Sequence, residues 1–363
     1  MADRVFLHIG APKTGTTYLQ QVLHRNRDAL EAAGVLYPRV VGDAHHTAVW
    51  DVRAPTERDF GRNVSGDWGK AVRLVDAWTG TAVMSSELFV YAEPDECLRA
   101  LTAFAPGTEV HVIYTARDLV RQAPAVWQER VKNQHTLGFG PFIADALGRS
   151  ETNMAKGFWR AQDLAAALER WSQGLSPEQV HVVTTPPAGS APTLLWDRFA
   201  GVLGLAGASY DTDIPVVNTS LSVTAAEVLR RFNVRHGHEM THLQYRRVVR
   251  KGLFDVLNDV VEDTSKLTLA RSEYTALSKR SKAGADAAQS RGYDIAGSLD
   301  DLVPTPARQL EKHELGGRRP DNIDESEVAA ALLDVVNTLL LTQHTLVREA
   351  KRQSRKDRSK KDG

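Results

Sequence analysis

Val5-Phe6-Leu7-His8-Ile9 is an apolar, β-prone run that stops at Gly10-Ala11-Pro12. From Thr16 the apolar residues recur at helical spacing instead, with Tyr18, Leu19, Val22 and Leu23 on one face. A strand that passes through a short loop straight into a helix aims several backbone N–H groups at one point, where an anion such as phosphate is held. Lys13 adds a fixed positive charge there, and Thr16 and Thr17 add hydroxyl donors in the first turn. Gly15 lets a ligand approach the backbone closely. The plainer use of the same residues is a strand-to-helix turn whose threonines only cap the helix.

The place of one lysine separates two kinds of anion loop. Loops that hold nucleoside triphosphates read G-x-x-x-x-G-K-[ST], with lysine directly after the second glycine. Gly10 and Gly15 have that separation, but Thr16 stands where the lysine belongs, and the lysine is at 13, ahead of Gly15. A Mg²⁺-dependent, P-loop-like phosphotransferase therefore lacks its usual lysine and stands as the second reading. Pro12-Lys13-Thr14-Gly15-Thr16-Thr17 resembles the 5′-phosphosulfate loop, P-K-[ST]-G-T-[TS], of sulfotransferases that use 3′-phosphoadenosine 5′-phosphosulfate (PAPS). The resemblance covers roughly residues 4–130 well and the remainder loosely. It implies that Lys13, Thr14, Gly15, Thr16 and Thr17 bind PAPS and that adenosine 3′,5′-bisphosphate is the product.

The same resemblance gives a meaning to Val110-His111-Val112-Ile113-Tyr114-Thr115, a second buried-strand run followed by Ala116-Arg117-Asp118. In the resembled family an arginine at such a strand end binds the 3′-phosphate of the cofactor, and a serine eight residues later adds a hydroxyl. Arg117 fits the arginine and Trp127 an aromatic two residues past the serine, but position 125 is alanine. A hydrogen bond to a charged group, worth about 1–3 kcal/mol, is lost or replaced. Arg121, one turn before Ala125, is the candidate replacement. The simple alternative for Arg117 is a solvated arginine at a helix start.

Sulfuryl transfer builds charge on the oxygen bridging phosphorus and sulfur, and a cation placed there favours the transition state over the ground state. Lys13 is the expected cation. The acceptor, a hydroxyl or amine, must also lose a proton to a base. Ser85-Ser86-Glu87 ends a strand expected at Thr81–Ser86, beside the Lys13 loop in a parallel sheet, where ligands collect. Glu87 is the leading base, as a glutamate in this region is in carbohydrate-directed members of the resembled family. His45 and His46 compete, because members acting on phenols and steroids use a histidine. A purely structural Glu87 would cap a helix or pair with an arginine. No metal is expected, since Lys13 supplies the charge that Mg²⁺ supplies in phosphoryl transfer.

One decoy is present. His238-Glu239-Met240-Thr241-His242 spells the zinc-metallopeptidase signature H-E-x-x-H, with Glu262 downstream as a third ligand. Gly237 directly before it and the polar Gln244-Tyr245-Arg246-Arg247 after it argue against a buried zinc helix, and zinc hydrolysis ranks third. Arg250-Lys251-Gly252 is given no role.

The chain's 363 residues are enough for a full core, and its zero net charge gives no reason to expect nucleic acid as a partner. That balance hides an asymmetry. Residues 348–363 hold eight Lys/Arg against three acidic residues, so this end carries +5 and the remainder −5. A solvated basic tail over 350–363 is the bland meaning, and weak contact with an anionic membrane surface is the sharper one. Cys97 is the single cysteine, which excludes an intrachain disulfide and suits a reducing compartment. No signal sequence precedes the first strand, and no uncharged apolar run approaches the roughly 20 residues of a membrane helix, so a cytoplasmic protein is expected. Asn218-Thr219-Ser220 formally matches a glycosylation acceptor but means little without secretion.

Strand and helix signals alternate as an α/β fold requires: a doubly wound, mostly parallel sheet flanked by helices, with a helix-rich C-terminal half. The pattern predicts strands at Arg4–Ile9, Thr81–Ser86, Val110–Thr115 and Val180–Thr184, helices at Thr16–Ala33 and Ala100–Phe104, and a late edge element near Asp294. Residues 43–69, with Trp50, Phe60 and Trp68, read as an irregular ligand-facing loop. The expected α/β domain spans 1–315, with its core sheet at 4–185 and a helical portion at 190–315. A hinge at Gly316-Gly317 and a last helix, Ser326 to Glu349, complete 316–349. Val328, Leu332, Leu333, Val336 and Leu340 form a stripe there that needs the body or a second copy as partner. The acceptor is expected to be a small molecule, a carbohydrate or a glycolipid.

Overall fold

The computed structural model describes residues 1–40, 45–53, 64–148, 153–205, 207, 209–215, 220–311 and 315–359. Among these, the strands are β1 (Ala2–His8), β2 (Val35–Leu36), β3 (Gly80–Ser85), β4 (Glu109–Ala116), β5 (Val180–Thr184) and β6 (Asp294–Ala296). They form one parallel sheet in the order β2-β3-β1-β4-β5-β6. The helices up to the third strand are α1 (Thr16–Arg25), α2 (Arg27–Ala32), α3 (His46–Val52) and α4 (Asp67–Asp76). Then come α5 (Pro94–Leu101), α6 (Leu119–Lys132), α7 (Phe139–Ala146), α8 (Asn153–Gln162), α9 (Leu164–Trp171) and α10 (Leu194–Val202). The remainder are α11 (Val223–His236), α12 (His242–Val248), α13 (Phe254–Val260), α14 (Arg271–Ser290) and α15 (Glu325–Ser359).

The chain divides into two compact units. Met1–Ala123, Ala144–Val216 and Ser272–Gln309 make the first, and Pro124–Ile143, Val217–Arg271 and Leu310–Gly363 make the second. The whole sheet belongs to the first unit. Its inner strands β1, β3, β4 and β5 are buried on both faces over most of their length, as parallel strands with helices above and below must be, whereas Asp294 of the edge strand β6 is exposed. Val5, Leu7, Val112 and Val182 meet the apolar sides of α3, α4, α5, α9 and α14. Phe6, Val83, Ile113 and Val183 meet those of α1, α2 and α10. This is the doubly wound α/β architecture the alternating pattern calls for. The chain leaves β1 toward β2 and β3, then crosses back past β1 to β4. Such a reversal opens a crevice at the carboxyl ends of the neighbouring strands β1 and β4, where α/β folds bind ligands.

Several local expectations shift. The single helix predicted from Thr16 to Ala33 breaks at Asn26, whose side chain donates to the Val22 and Asp211 carbonyls and accepts from the Asp211 N–H. A side chain that bonds nearby backbone in this way competes with the helix ladder. The helix predicted from Ala100 starts earlier, at Pro94, where proline at the first position and a Glu93/Glu96 capping box set the boundary. The 43–69 segment is not irregular throughout: α3 and the start of α4 lie in it because Ala48, Val49, Val52 and Trp68 pack into the core. Phe60 and the rest of 54–63, residues 41–44, Asn218 and Thr219 lie outside the described residues.

In the second unit, Glu227 is 2% exposed and binds Arg230 and Arg231 at 2.7 and 2.8 Å. Helix α15 runs to Ser359, ten residues past the predicted end, and docks a stripe rotated from the predicted one. Val328, Ala331 and Val335 are buried, whereas Leu332, Leu333, Val336 and Leu340 are exposed. The H-E-x-x-H segment is split: Gly237–Glu239 is a 3₁₀ turn, Met240 is extended, and a new helix begins at His242. The two histidines therefore do not share one helical face, the geometry zinc binding by this motif needs.

Candidate nucleotide site at the carboxyl edge of the sheet

The loop after β1 runs through Gly10 to Gly15 and enters α1 at Gly15, an N-cap residue with no side chain to bond the first-turn N–H groups. Two glycines are required for its shape. Gly10 has φ +103°, and a Cβ there would lie 3.2 Å from the Glu87 Cα, so glycine is what lets Glu87 sit against the start of the loop. Gly15 has φ +89°, and a Cβ there would collide with Leu195. Lys13 is itself left-handed, at φ 70°, which a non-glycine residue rarely adopts.

Beneath the loop lies a buried polar row that the motif does not announce. Thr14 Oγ1 donates to the Ala11 carbonyl, so Thr115 Oγ1 must be the donor to Thr14. His8 Nε2 then donates to Thr115 at 3.3 Å, which leaves Nδ1 to accept from Ser85 Oγ at 2.7 Å. His8 is fully buried, and burial pushes its pKa down to about 3, in agreement with this neutral tautomer. The row spans β3, β1, β4 and the loop. Its sequence signal is a polar residue at or next to the carboxyl end of each strand, directly after an apolar run: His8, Ser85 and Thr115.

Further contacts hold the loop from outside. Gln122 donates to the Pro12 carbonyl and, at 2.9 Å, to Gln162 Oε1. Thr185 donates to the Thr14 carbonyl at 3.4 Å. Arg117 Nη1 donates to the Lys13 carbonyl at 3.4 Å, and its Nε is buried with no hydrogen-bond partner among the described residues. Burial, and then the neighbouring Arg121, hold the Arg117 pKa below its usual value, with Asp118 opposing. Arg121 is committed elsewhere: its Nε pairs with Asp118, and its Nη1 donates to the Pro186 carbonyl.

The expected site residues separate by their contacts. Glu87 opens a 3₁₀ turn, and its Oε2 accepts from Gln20 of α1 at 3.0 Å. His46, the first residue of α3, puts Nδ1 2.9 Å from Ser86 Oγ. His45, one residue earlier, is fully buried and spent at both nitrogens: Nε2 donates to the Pro38 carbonyl, and Nδ1 accepts from the Ser85 N–H, each at 3.0 Å. Burial lowers its pKa to about 4. The Thr14 hydroxyl likewise faces inward, at 1% exposure, so only its backbone remains to meet a ligand. Thr16 is buried and Thr17 exposed at the start of α1.

Beside Arg117 lies a cavity of about 280 Å³, lined among others by Tyr114, Trp159, Gln162, Arg280 and Ser281. The Arg280 guanidinium stands 4.3 Å from the Trp159 ring centroid, and Ser281 Oγ accepts from the Leu119 N–H at the start of α6. Among the described residues no group of three or more His, Cys, Asp and Glu side chains could hold a metal ion.

No protein-family model matches the chain, and no curated protein matches it. Among solved structures it is distantly similar to a sulfotransferase domain from the curacin biosynthetic pathway. The identity is 12% and the TM-score 0.33, over 60% of this chain and 79% of the other.

Proposed function

We propose that the first unit moves a sulfuryl group from PAPS to a hydroxyl or amine of a small-molecule, carbohydrate or glycolipid acceptor, leaving adenosine 3′,5′-bisphosphate. One observation carries the reading: an α1 N-terminus without a side-chain cap follows a loop in which Lys13 precedes Gly15, and Arg117 ties that loop to the end of β4. An uncapped N-terminus offers its N–H groups to an anion. The orphaned, buried Arg117 Nε is a donor that a phosphate oxygen would satisfy. The cavity next to it, with Tyr114 and Trp159 in its wall, suits the 3′ end and base of a nucleotide.

When bound, the donor supplies the activated sulfuryl group. Backbone N–H groups of Gly15, Thr16 and Thr17 hold its 5′ end, and Lys13 neutralises charge on the leaving phosphate oxygen. Glu87 takes the acceptor proton through the oxygen that Gln20 does not hold, with His46 as the second candidate. His45 and Thr14 serve as braces. Lys13 supplies the charge without a metal, and no observation of the site favours Mg²⁺-dependent phosphoryl transfer.

Thermal unfolding with added nucleotide tests the reading. A ligand at a hundred times its Kd stabilises the native state by about 2.7 kcal/mol. Adenosine 3′,5′-bisphosphate should raise the melting temperature while ATP with Mg²⁺ leaves it nearly unchanged. The reverse order would refute the proposal.

A further inference from the structure

Helix α15 carries two apolar surfaces, and only one is used. Val328, Ala331 and Val335 are 4%, 6% and 2% exposed within the second unit, whereas Leu333, Leu340 and Leu346 are 70%, 59% and 59% exposed. Over Glu325–Glu349 the helix is long and apolar enough to cross a membrane by length and composition, with a mean hydropathy of 1.3 over its most apolar window. The core helix of a globular protein passes the same test, but such a helix is covered, and only 11% of this window is buried. With 3.6 residues per turn, Leu332, Leu333, Val336, Leu339, Leu340 and Val347 fall within an arc of about 120°. Where the arc ends, the chain turns basic, with eight Lys/Arg against three acidic residues from Arg348 onward.

We propose that this face is a peripheral membrane anchor. Helix α15 lies in the plane of an anionic bilayer, its leucine arc at the boundary of headgroups and acyl chains. The basic segment that follows is drawn to the lipid phosphates. Charge complementarity selects this occupant: apolar area and a polybasic run each bind a bilayer weakly, and their combination gives stable attachment. The docked stripe of Val328, Ala331 and Val335 holds the first turns on the second unit, so the helix lies on the membrane rather than crossing it. A second copy of the chain would also cover leucines. In a parallel pair, however, it would set two +5 segments side by side, where like charges repel. The inference is independent of the sulfuryl-transfer reading.

Flotation of the full chain with lipid vesicles tests it. The chain should float with vesicles of phosphatidylcholine mixed with phosphatidylserine, stay behind with phosphatidylcholine alone, and detach at about 0.5 M NaCl, where charge is screened within a few ångströms. Leu333→Glu combined with Leu340→Glu, both at exposed positions, should cut the bound fraction about tenfold with an unchanged melting temperature. Lys351→Glu combined with Arg352→Glu should do the same. No binding to the anionic vesicles overturns the proposal, as does binding that survives the leucine pair or is equal on both lipids. So does light scattering that finds a dimer which the leucine pair dissociates, since a second copy would then be the occupant.

Discussion

Arg117 at the end of β4 donates to the backbone carbonyl of Lys13, so one arginine links the loop after β1 to the neighbouring strand end. The bond uses Nη1 and leaves a buried Nε without a partner among the described residues. A buried donor left unsatisfied costs about 1–3 kcal/mol, and an anion bound in the crevice would recover it. In the proposed reading, the two ends of a nucleotide are therefore sensed by residues already in contact.

Arg117→Ala should weaken binding of adenosine 3′,5′-bisphosphate about 10- to 100-fold, the loss expected for a charge-assisted phosphate contact. Adenosine 5′-monophosphate should be affected less. Arg121→Ala should leave both affinities unchanged, because its side chain is committed to Asp118 and to the Pro186 carbonyl. Isothermal titration calorimetry on the two variants separates these roles.

Lys13→Ala should lower the rate of sulfuryl transfer by about 10²- to 10³-fold, the usual scale for removing one preorganised group from developing charge. Nucleotide affinity should fall less than turnover, because the charge on the leaving oxygen grows only in the transition state. Single-turnover rates beside equilibrium binding would show the difference, and equal losses in both would make Lys13 a binding residue only.

Glu87→Gln keeps the size of the side chain and its contact with Gln20 but cannot accept a proton. Turnover should drop by about 10²- to 10⁴-fold with the melting temperature and nucleotide affinity preserved. If His46→Ala carries that loss instead, the proton passes to the histidine beside Ser86.

Stability should fall as the solution is acidified from about pH 6.5 toward pH 4. His45 and His8 are neutral and buried in the folded chain, with pKa values pushed down to about 4 and about 3. Through that window the unfolded chain takes up protons that the folded chain refuses, so unfolding gains ground as pH drops, and full stability is kept above pH 6.5. Each histidine contributes a few kcal/mol at most. Urea unfolding across the range measures the slope, and His45→Leu should flatten it while costing stability at pH 7 through the unpaired Pro38 carbonyl and Ser85 N–H.

The alternation of strands and helices, the loop from Gly10 to Gly15 and the arginine ending the second long strand are visible in the chain because they are local. A strand, its turn and the first helical turn depend on neighbours within a few residues, and hydrophobic period reports them directly. His45 and His46 could not be told apart that way. They are adjacent, yet one is locked between two backbone groups and the other faces Ser86, a division made by where α3 meets β3. The His8-Ser85-Thr115-Thr14 row has the same origin, since partners about a hundred residues apart meet only when β1, β3 and β4 align. The last helix shows the remaining limit: its apolar residues outnumber the places available to bury them, and packing alone decided that Val328, Ala331 and Val335 go inward while the leucines stay outside.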